Sequence, residues 1–159
     1  MSTIITATRY HDFSCGHRVA GHESKCSSLH GHNYRVHFEC RGDLDIIGRV
    51  LDFSVIKSLL CEWLESNWDH KFLAWDQDPV MKFIDSSLYT QRHNNPDSNR
   101  AATSIVFVPF NPTAENMALH LLNVVGPEVL ADTGVRLVSV RVEETRKCSA
   151  TATIEGPYA

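Results

Sequence analysis

The stretch HGHNYRVHFECRG, residues 30–42, gives the clearest prediction of structure in the chain. Its apolar side chains stand at every second position: Tyr34, Val36, Phe38 and Cys40. This is the period of a β-strand with one face buried, and residues two apart on a strand point to the same side. His30 and His32 therefore share the buried face, where a charged imidazole is costly and a shared metal ion would give both rings a partner.

The sequence on either side of this strand predicts an α+β fold. We expect strands at residues 3–15, 30–42, 135–145 and 148–155, and helices over residues 53–67 and from residue 114 onward. Asp52 and Thr113 precede the helices and are of the types favoured at N-caps, and apolar side chains follow each cap with helical spacing. Hairpin-like connections join the strand pairs at both ends of the order β-β-α-α-β-β, which is typical of an antiparallel sheet in a single domain over residues 1–159.

Residues 77–111, the inter-helix segment, are an elaboration between the two predicted helices. We predict a short helix near Pro79–Leu88 and a strand-like run at Ser104–Val108. Residues 91–103 are polar and contain a proline, which favours a loop. Loops of such length are typically either functional or mobile, and the sequence leaves both open.

Composition narrows the class of protein. The 159 residues are 43% hydrophobic and 21% charged, as in an ordinary globular domain, which at this length needs no metal merely to fold. A net charge of −4 argues against nucleic-acid binding, and no apolar run approaches the roughly 20 residues that span a membrane. The N-terminus lacks the pattern of a signal peptide, and five cysteines without a framework spacing fit a reducing cytoplasm. We therefore expect a cytoplasmic protein in which a bound metal is functional.

A third histidine completes a possible metal site. If the strand that ends near His17 pairs with the strand that begins at His30, across the 18–29 loop, His17 reaches the same spot. Three neutral imidazoles leave one coordination position of zinc open, as in catalytic rather than structural sites. Cys15 lies on the same strand face as His17, so a closed site of one cysteine and three histidines stays open as an alternative.

Two further features carry residues suited to proton transfer. Cys26 lies in the loop before His30, where a metal ion and imidazoles would favour its thiolate as a base or nucleophile; alone, a loop cysteine is more often inert. Asp69 and His70 follow the first predicted helix, and a carboxylate beside an imidazole can orient it for proton transfer. The alternative for His70 is a histidine that is merely stabilised by the dipole at the end of a helix.

Glu143 and Glu144 are adjacent in a predicted strand and so face opposite sides. Glu144 shares its side with three apolar residues: Val138, Val140 and Val142. We therefore expect Glu143 to be solvated and Glu144 to need a partner, since a buried unpaired carboxylate is costly. That partner is either a ligand or a basic residue of the following turn, Arg146 or Lys147.

These residues belong to a longer series of motifs. The series is Phe13-x-x-x-His17, Cys26-x-x-x-His30-Gly31-His32-Asn33-Tyr34, Asp52-Phe53, Asp69-His70, Pro112-Thr113-Ala114-Glu115-Asn116 and Glu144-Thr145. It resembles the 6-pyruvoyl-tetrahydropterin synthase superfamily over most of the chain, and the spacing of Cys26 from His30 is similar to that of the bacterial 6-carboxytetrahydropterin synthases of the queuosine pathway. The chain departs from the family pattern at Cys15-Gly16, where small residues, often alanines, are usual, and in the length of the inter-helix segment.

The resemblance implies a fold and a set of roles. The fold is the tunnelling fold, in which antiparallel sheets with two helices on one face are joined into a barrel by a trimer or hexamer. The implied zinc ligands are His17, His30 and His32. The implied catalytic residues are Cys26, Asp69 and His70, and the implied substrate-binding residues are Glu144, Thr145 and Thr113.

The activity that the resemblance implies is that of a carbon–carbon lyase that uses zinc and no redox cofactor. Its substrate would be 7,8-dihydroneopterin triphosphate, and its products 6-carboxy-5,6,7,8-tetrahydropterin, acetaldehyde and triphosphate. Arg18 and Lys25 are candidates for binding the triphosphate. Two alternatives stay open: the pyruvoyl-forming synthase or a related pterin aldolase, and a non-catalytic zinc- or pterin-binding protein of the same fold.

Overall fold

The computed structural model of the chain describes residues 3–91 and 95–154. The strands are β1 (Ala7–His17), β2 (His30–Arg41), β3 (Lys71–Trp75), β4 (Ile105–Val108), β5 (Arg136–Thr145) and β6 (Cys148–Thr153). The helices are α1 (Phe53–Ile56, Lys57–Cys61 and Glu62–Asn67), α2 (Pro79–Gln91), α3 (Pro96–Thr103) and α4 (Ala114–His120, Leu121–Val125 and Gly126–Val129), with π-helical middle parts in α1 and α4. Residues 92–94 of the predicted loop and the predicted strand end at Glu155 lie outside the described residues.

The described strands form one sheet in the order β4-β3-β1-β2-β5-β6. Antiparallel pairing joins β1, β2, β5 and β6, which confirms the predicted part of the sheet. β3 pairs parallel to β1, and β4 pairs parallel to β3, with α2 and α3 in the crossover between them. β1 begins at Ala7 rather than at residue 3 and continues to His17, which brings it level with the start of β2.

Both predicted helix starts are confirmed. The Asp52 side chain accepts a hydrogen bond from the N–H of Ser54 at 2.8 Å, and the Thr113 hydroxyl accepts one from Asn116 at 3.2 Å. Large apolar side chains of both helices and of β2 form one buried cluster, for example Tyr34, Phe38, Leu60, Leu64, Met117 and Leu121. Burial of each such side chain stabilises the fold by about 1.5–3 kcal/mol. Among the described residues, no helix is both long and apolar enough to cross a membrane.

Two predictions for the inter-helix segment are confirmed and one is wrong. The helix near Pro79–Leu88 is α2, and the strand-like run at Ser104–Val108 is β4. The predicted loop is wrong over Pro96–Thr103, which forms α3. Asn95 caps that helix through its side-chain oxygen, and Pro96 occupies the first helical position, where its missing N–H costs nothing.

Candidate metal centre and active site

The pairing of β1 with β2 brings three histidines together at one end of the sheet. His17 lies directly opposite His30, and His32 is one pleat further along β2. One ring nitrogen from each histidine lies within 4.8 Å of the others. The ring centroids form a triangle with sides of 4.5, 4.9 and 5.3 Å. The predicted cluster of His17, His30 and His32 is therefore present in the fold.

Gly31 lets the two strands approach each other at this point. A Cβ atom on Gly31 would lie 2.9 Å from the carbonyl oxygen of Cys15, which is closer than real Cβ contacts. The residue across the sheet is also a glycine, Gly16. The absence of side chains at this pair keeps β1 and β2 in register where the histidines meet.

Backbone carbonyls set the tautomers of two of the rings. Nδ1 of His17 lies 2.6 Å from the carbonyl oxygen of Pro112, and Nδ1 of His30 lies 2.7 Å from that of Ser28. A carbonyl only accepts, so each Nδ1 carries the proton and each Nε2 carries a lone pair. Nε2 of His32 is buried and has no hydrogen-bond partner among the described residues. This donor set fits a metal ion, which would satisfy all three nitrogens.

Burial keeps two of the three rings uncharged. Burial lowers the pKa of His17 and of His32 below the ordinary value, so both are neutral at neutral pH, the form that binds a metal. The Tyr34 hydroxyl lies 3.2 Å from Nε2 of His17, and burial raises its pKa, so it stays a phenol.

Cys15 is not part of the histidine group. Burial raises the pKa of its thiol to about 12, and its sulfur is not among the ligand atoms that lie within 4.8 Å of one another. The described residues contain one group of side chains spaced to hold a metal, and that group has histidines alone. These observations favour the open site with three histidines over the closed site with Cys15.

Glu144 faces the histidine cluster, whereas Glu143 faces the other side of the sheet. Oε1 of Glu144 lies 3.4 Å from Nε2 of His17 and 3.6 Å from Nε2 of His32. Oε1 of Glu143 lies 2.8 Å from Nε2 of His37 and 3.0 Å from Arg141. The expectation that Glu143 is solvated is therefore wrong, because His37 of β2 and Arg141 of β5 pair with its carboxylate.

Cys26 lies in the 3₁₀ turn between β1 and β2, Lys25–Ser27, and is half-buried. It lines a cavity of about 300 Å³ together with Thr113 and Glu144. Cys148, which the sequence did not single out, lines the same cavity from the start of β6. Nothing in the local sequence marks Cys148, because its approach to Cys26 depends on how β6 follows β5 in the sheet.

Asp69 and His70 form a hydrogen-bonded pair in the turn after α1. One oxygen of Asp69 accepts the N–H of Ser14 at 2.9 Å, and the other accepts Nδ1–H of His70 at 2.7 Å. Because the second bond places the ring proton on Nδ1, the lone pair is on Nε2. The His70 side chain is 84% exposed. The backbone of His70 has a φ of 54°, a left-handed conformation that costs energy for a residue other than glycine and is often found at functional sites.

His70 and Cys26 line different cavities within one chain. His70 borders a cavity of about 470 Å³ with His30 and His32, and a second one of about 810 Å³ with Thr145. Thr145 is thereby separated from the other two predicted substrate-binding residues. Within one chain, Cys26 therefore lies on one side of the three histidines, and Asp69 and His70 lie on the other.

The structure also places the two residues predicted to bind the triphosphate. The Arg18 guanidinium is engaged inside the protein, with Asp78 at 3.0 Å and the carbonyl of Ser27 at 2.9 Å. Lys25 begins the 3₁₀ turn and is exposed. Arg18 is therefore not free to bind an anion in this arrangement.

Comparisons with known proteins define the class to which this fold and site belong. The sequence profile of the family described as 6-pyruvoyl tetrahydropterin synthase matches residues 6–155. The chain belongs to this family, and the prediction of a lyase is confirmed by the names of its relatives.

Two similar proteins bear the name 6-carboxy-5,6,7,8-tetrahydropterin synthase. A 6-carboxy-5,6,7,8-tetrahydropterin synthase of Rickettsia typhi is 34% identical over 146 residues, covering 91% of this chain and 97% of that protein. The protein of that name from Haemophilus influenzae is 31% identical over 137 residues, covering 84% and 87%.

Solved structures confirm the tunnelling fold. An uncharacterized protein of Wolinella succinogenes superposes with a TM-score of 0.85 at 25% identity, covering 97% of this chain and all of that one. The 6-pyruvoyl tetrahydropterin synthase of Caenorhabditis elegans superposes with a TM-score of 0.63 at 22% identity, covering 96% and 97%.

Proposed function

We propose that the chain is a zinc-dependent 6-carboxy-5,6,7,8-tetrahydropterin synthase. It converts 7,8-dihydroneopterin triphosphate and one water to 6-carboxy-5,6,7,8-tetrahydropterin, acetaldehyde and triphosphate, and it works in the cytoplasm in queuosine biosynthesis. The observation that carries the proposal is the cluster of three histidines beside the cavity of Cys26. The names of the relatives support the choice of substrate.

His17, His30 and His32 would hold the zinc ion through their Nε2 atoms. Two of these atoms carry lone pairs because carbonyl groups fix the proton on Nδ1, and the third is buried without a hydrogen-bond partner among the described residues. Bound zinc supplies a Lewis acid that polarises the side-chain hydroxyls of the substrate.

The protein's own groups move the protons. The Cys26 thiolate takes a proton from the substrate side chain, which lies in the cavity that this cysteine lines. His70 exchanges protons through Nε2, since Asp69 fixes the proton on Nδ1 and orients the ring.

Glu144 is proposed to bind the pterin ring. Its carboxylate can accept two neighbouring N–H groups, the ring amide and the 2-amino group, and such charge-assisted pairs are stronger than neutral hydrogen bonds. Thr113 lines the same cavity and is proposed as a second contact. Thr145, on the far side, is proposed to contact substrate in the complete assembly.

That assembly is proposed to be a trimer or hexamer. Because Cys26 and His70 line different cavities of one chain, a neighbouring chain would bring a second His70 to the cavity of Cys26. β6 is an edge strand, and pairing with a neighbour in a barrel would satisfy its free backbone groups.

A product assay tests the proposed function. The zinc-loaded protein is incubated with 7,8-dihydroneopterin triphosphate, and acetaldehyde and the pterin product are measured together. Equal amounts of acetaldehyde and 6-carboxytetrahydropterin support the proposal. A pyruvoyl product without acetaldehyde would identify the other synthase activity, and binding without any turnover would identify a non-catalytic protein.

A further inference from the structure

The loop that carries Cys26, residues 18–29, is held by residues that are distant in sequence. Asp78 lies near the start of the inter-helix segment, and Asn111 is its last residue. Both contact the first residues of this loop: Asp78 contacts Arg18, and Asn111 contacts Ala20. The inter-helix segment therefore begins and ends at the loop of the proposed catalytic cysteine.

Arg18 joins Asp78 to the cysteine turn. Its Nη1 lies 3.0 Å from Oδ1 of Asp78, and its Nε donates to the carbonyl of Ser27, the residue after Cys26, at 2.9 Å. Asp78 is 1% exposed, and its Oδ2 has no hydrogen-bond partner among the described residues. A carboxylate buried in this way depends on Arg18 for its counter-charge.

Asn111 holds the next part of the same loop. Its side-chain oxygen accepts the N–H of Ala20 at 3.0 Å, and its side-chain amide donates to the carbonyl of Ala20 at 2.8 Å. Between these anchors, the N–H of Val19 donates to the carbonyl of Cys26 at 2.8 Å. The carbonyls of Cys26 and Ser27 are thus fixed by two consecutive residues that the inter-helix segment holds on either side.

We propose that Arg18, Asp78 and Asn111 are positioning residues for the Cys26 thiol, and that holding this loop is the function of the inter-helix segment. The inference rests on the proposed function, in which Cys26 reacts. Surface loops are ordinarily among the more mobile parts of a protein, and a displacement of about 1 Å at a reacting group can slow a reaction about a hundredfold. The donors of Arg18 that contact Asp78 and Ser27 are used within the protein, which separates this role from anion binding.

The variant Asp78→Asn tests the inference. Asparagine has nearly the same shape and keeps an oxygen that can accept the N–H of Val80, a bond of 2.9 Å at the start of α2, but it removes the charge that faces Arg18. We expect kcat to fall about tenfold to a hundredfold while KM stays within about twofold and the zinc content is unchanged. The control is Arg49→Gln, which breaks exposed pairs with Asp45 and Asp52 and should leave kcat unchanged.

A second readout needs no substrate. Amide hydrogen exchange of residues 19–28, measured by mass spectrometry on the zinc-loaded protein, should be about tenfold faster in Asp78→Asn, with the strands of the sheet unaffected. Asn111→Asp loses the side-chain donor to the carbonyl of Ala20 and should show the same local change. This variant tests the inference if Asp78→Asn does not fold. Unchanged exchange and kcat in a folded variant, or a change confined to overall thermal stability, would overturn the inference. If the wild type gave no lyase product, the proposed function would fail, while the exchange data would still decide whether these residues hold the loop.

Discussion

Glu143 and Glu144 are neighbours on β5 with different surroundings. Glu143 is paired with His37 and Arg141, so its charge is already compensated by the protein. Glu144 lines the cavity of Cys26 and lies beside the uncharged imidazoles of His17 and His32, so no cation of the site pairs with its carboxylate among these contacts. The two positions therefore form a natural pair of test and control.

Glu144→Gln should weaken binding of dihydroneopterin triphosphate about tenfold or more, because the amide replaces one acceptor with a donor that faces a donor. Calorimetry in a Cys26→Ala background, which removes the thiol proposed to react, gives the dissociation constant. The zinc content should stay the same. Glu143→Gln should change affinity by less than about twofold. Equal losses in the two variants would contradict the assignment of the pterin-binding carboxylate.

His120 of α4 packs against two aromatic side chains, Trp68 and Phe110. The His120 ring stacks on Trp68 at 6.0 Å with an interplanar angle of 26°, and Phe110 lies 5.0 Å away. Burial lowers the pKa of His120 below its ordinary value. The imidazole is therefore neutral in the folded protein at a pH where it is partly protonated in the unfolded chain.

This shift predicts a pH dependence of stability. The contribution of His120 is fully present above the unfolded-state pKa of about 6.5, and it is lost as the pH falls below that value toward the lower folded-state pKa, since the unfolded chain takes up the proton first. Urea unfolding of the wild type and His120→Phe at pH 7.5 and pH 5.5 measures it. The wild type should lose more stability at the lower pH than the variant, whose ring stacks but does not titrate. An equal loss in both proteins would show that His120 does not contribute.

Local patterns account for the elements that the sequence predicts. β2 follows from its alternation, and the starts of α1 and α4 follow from Asp52 and Thr113, because each depends on side chains close in sequence. β3 could not be predicted: KFLAW, residues 71–75, is short and does not alternate, and its parallel pairing with β1 depends on distant contacts.

The residues of the candidate site also fall into those that could be predicted from the sequence and those that could not. The three histidines could be predicted, because the spacing of His30 and His32 and the hairpin to His17 are local features of β1 and β2. The nearness of Cys148 to Cys26, and of Asp78 to Arg18, could not be predicted, since both depend on the path of the chain between elements.

Because Cys26 and His70 of one chain line different cavities, we expect two inactive variants to restore activity when they are combined in one oligomer. Cys26→Ala and His70→Ala should each be inactive alone with zinc retained. Mixed oligomers, made by unfolding and refolding the two variants together, should regain part of the activity, because some sites combine an intact Cys26 with an intact His70 of a neighbour. Light scattering should show a trimer or hexamer throughout. An active monomer, or mixed oligomers without activity, would contradict a shared site.

The zinc content of the protein tests the proposed three-histidine site. Measured by inductively coupled plasma mass spectrometry on purified protein, wild type and Cys15→Ala should contain about one zinc per chain, because three imidazoles suffice and Cys15 is not part of the group that they form. His30→Ala and His32→Ala should lose most of the zinc while remaining folded, since a domain of this size does not need the metal for its core. Full zinc in both histidine variants, or loss of zinc in Cys15→Ala, would contradict the open three-histidine site.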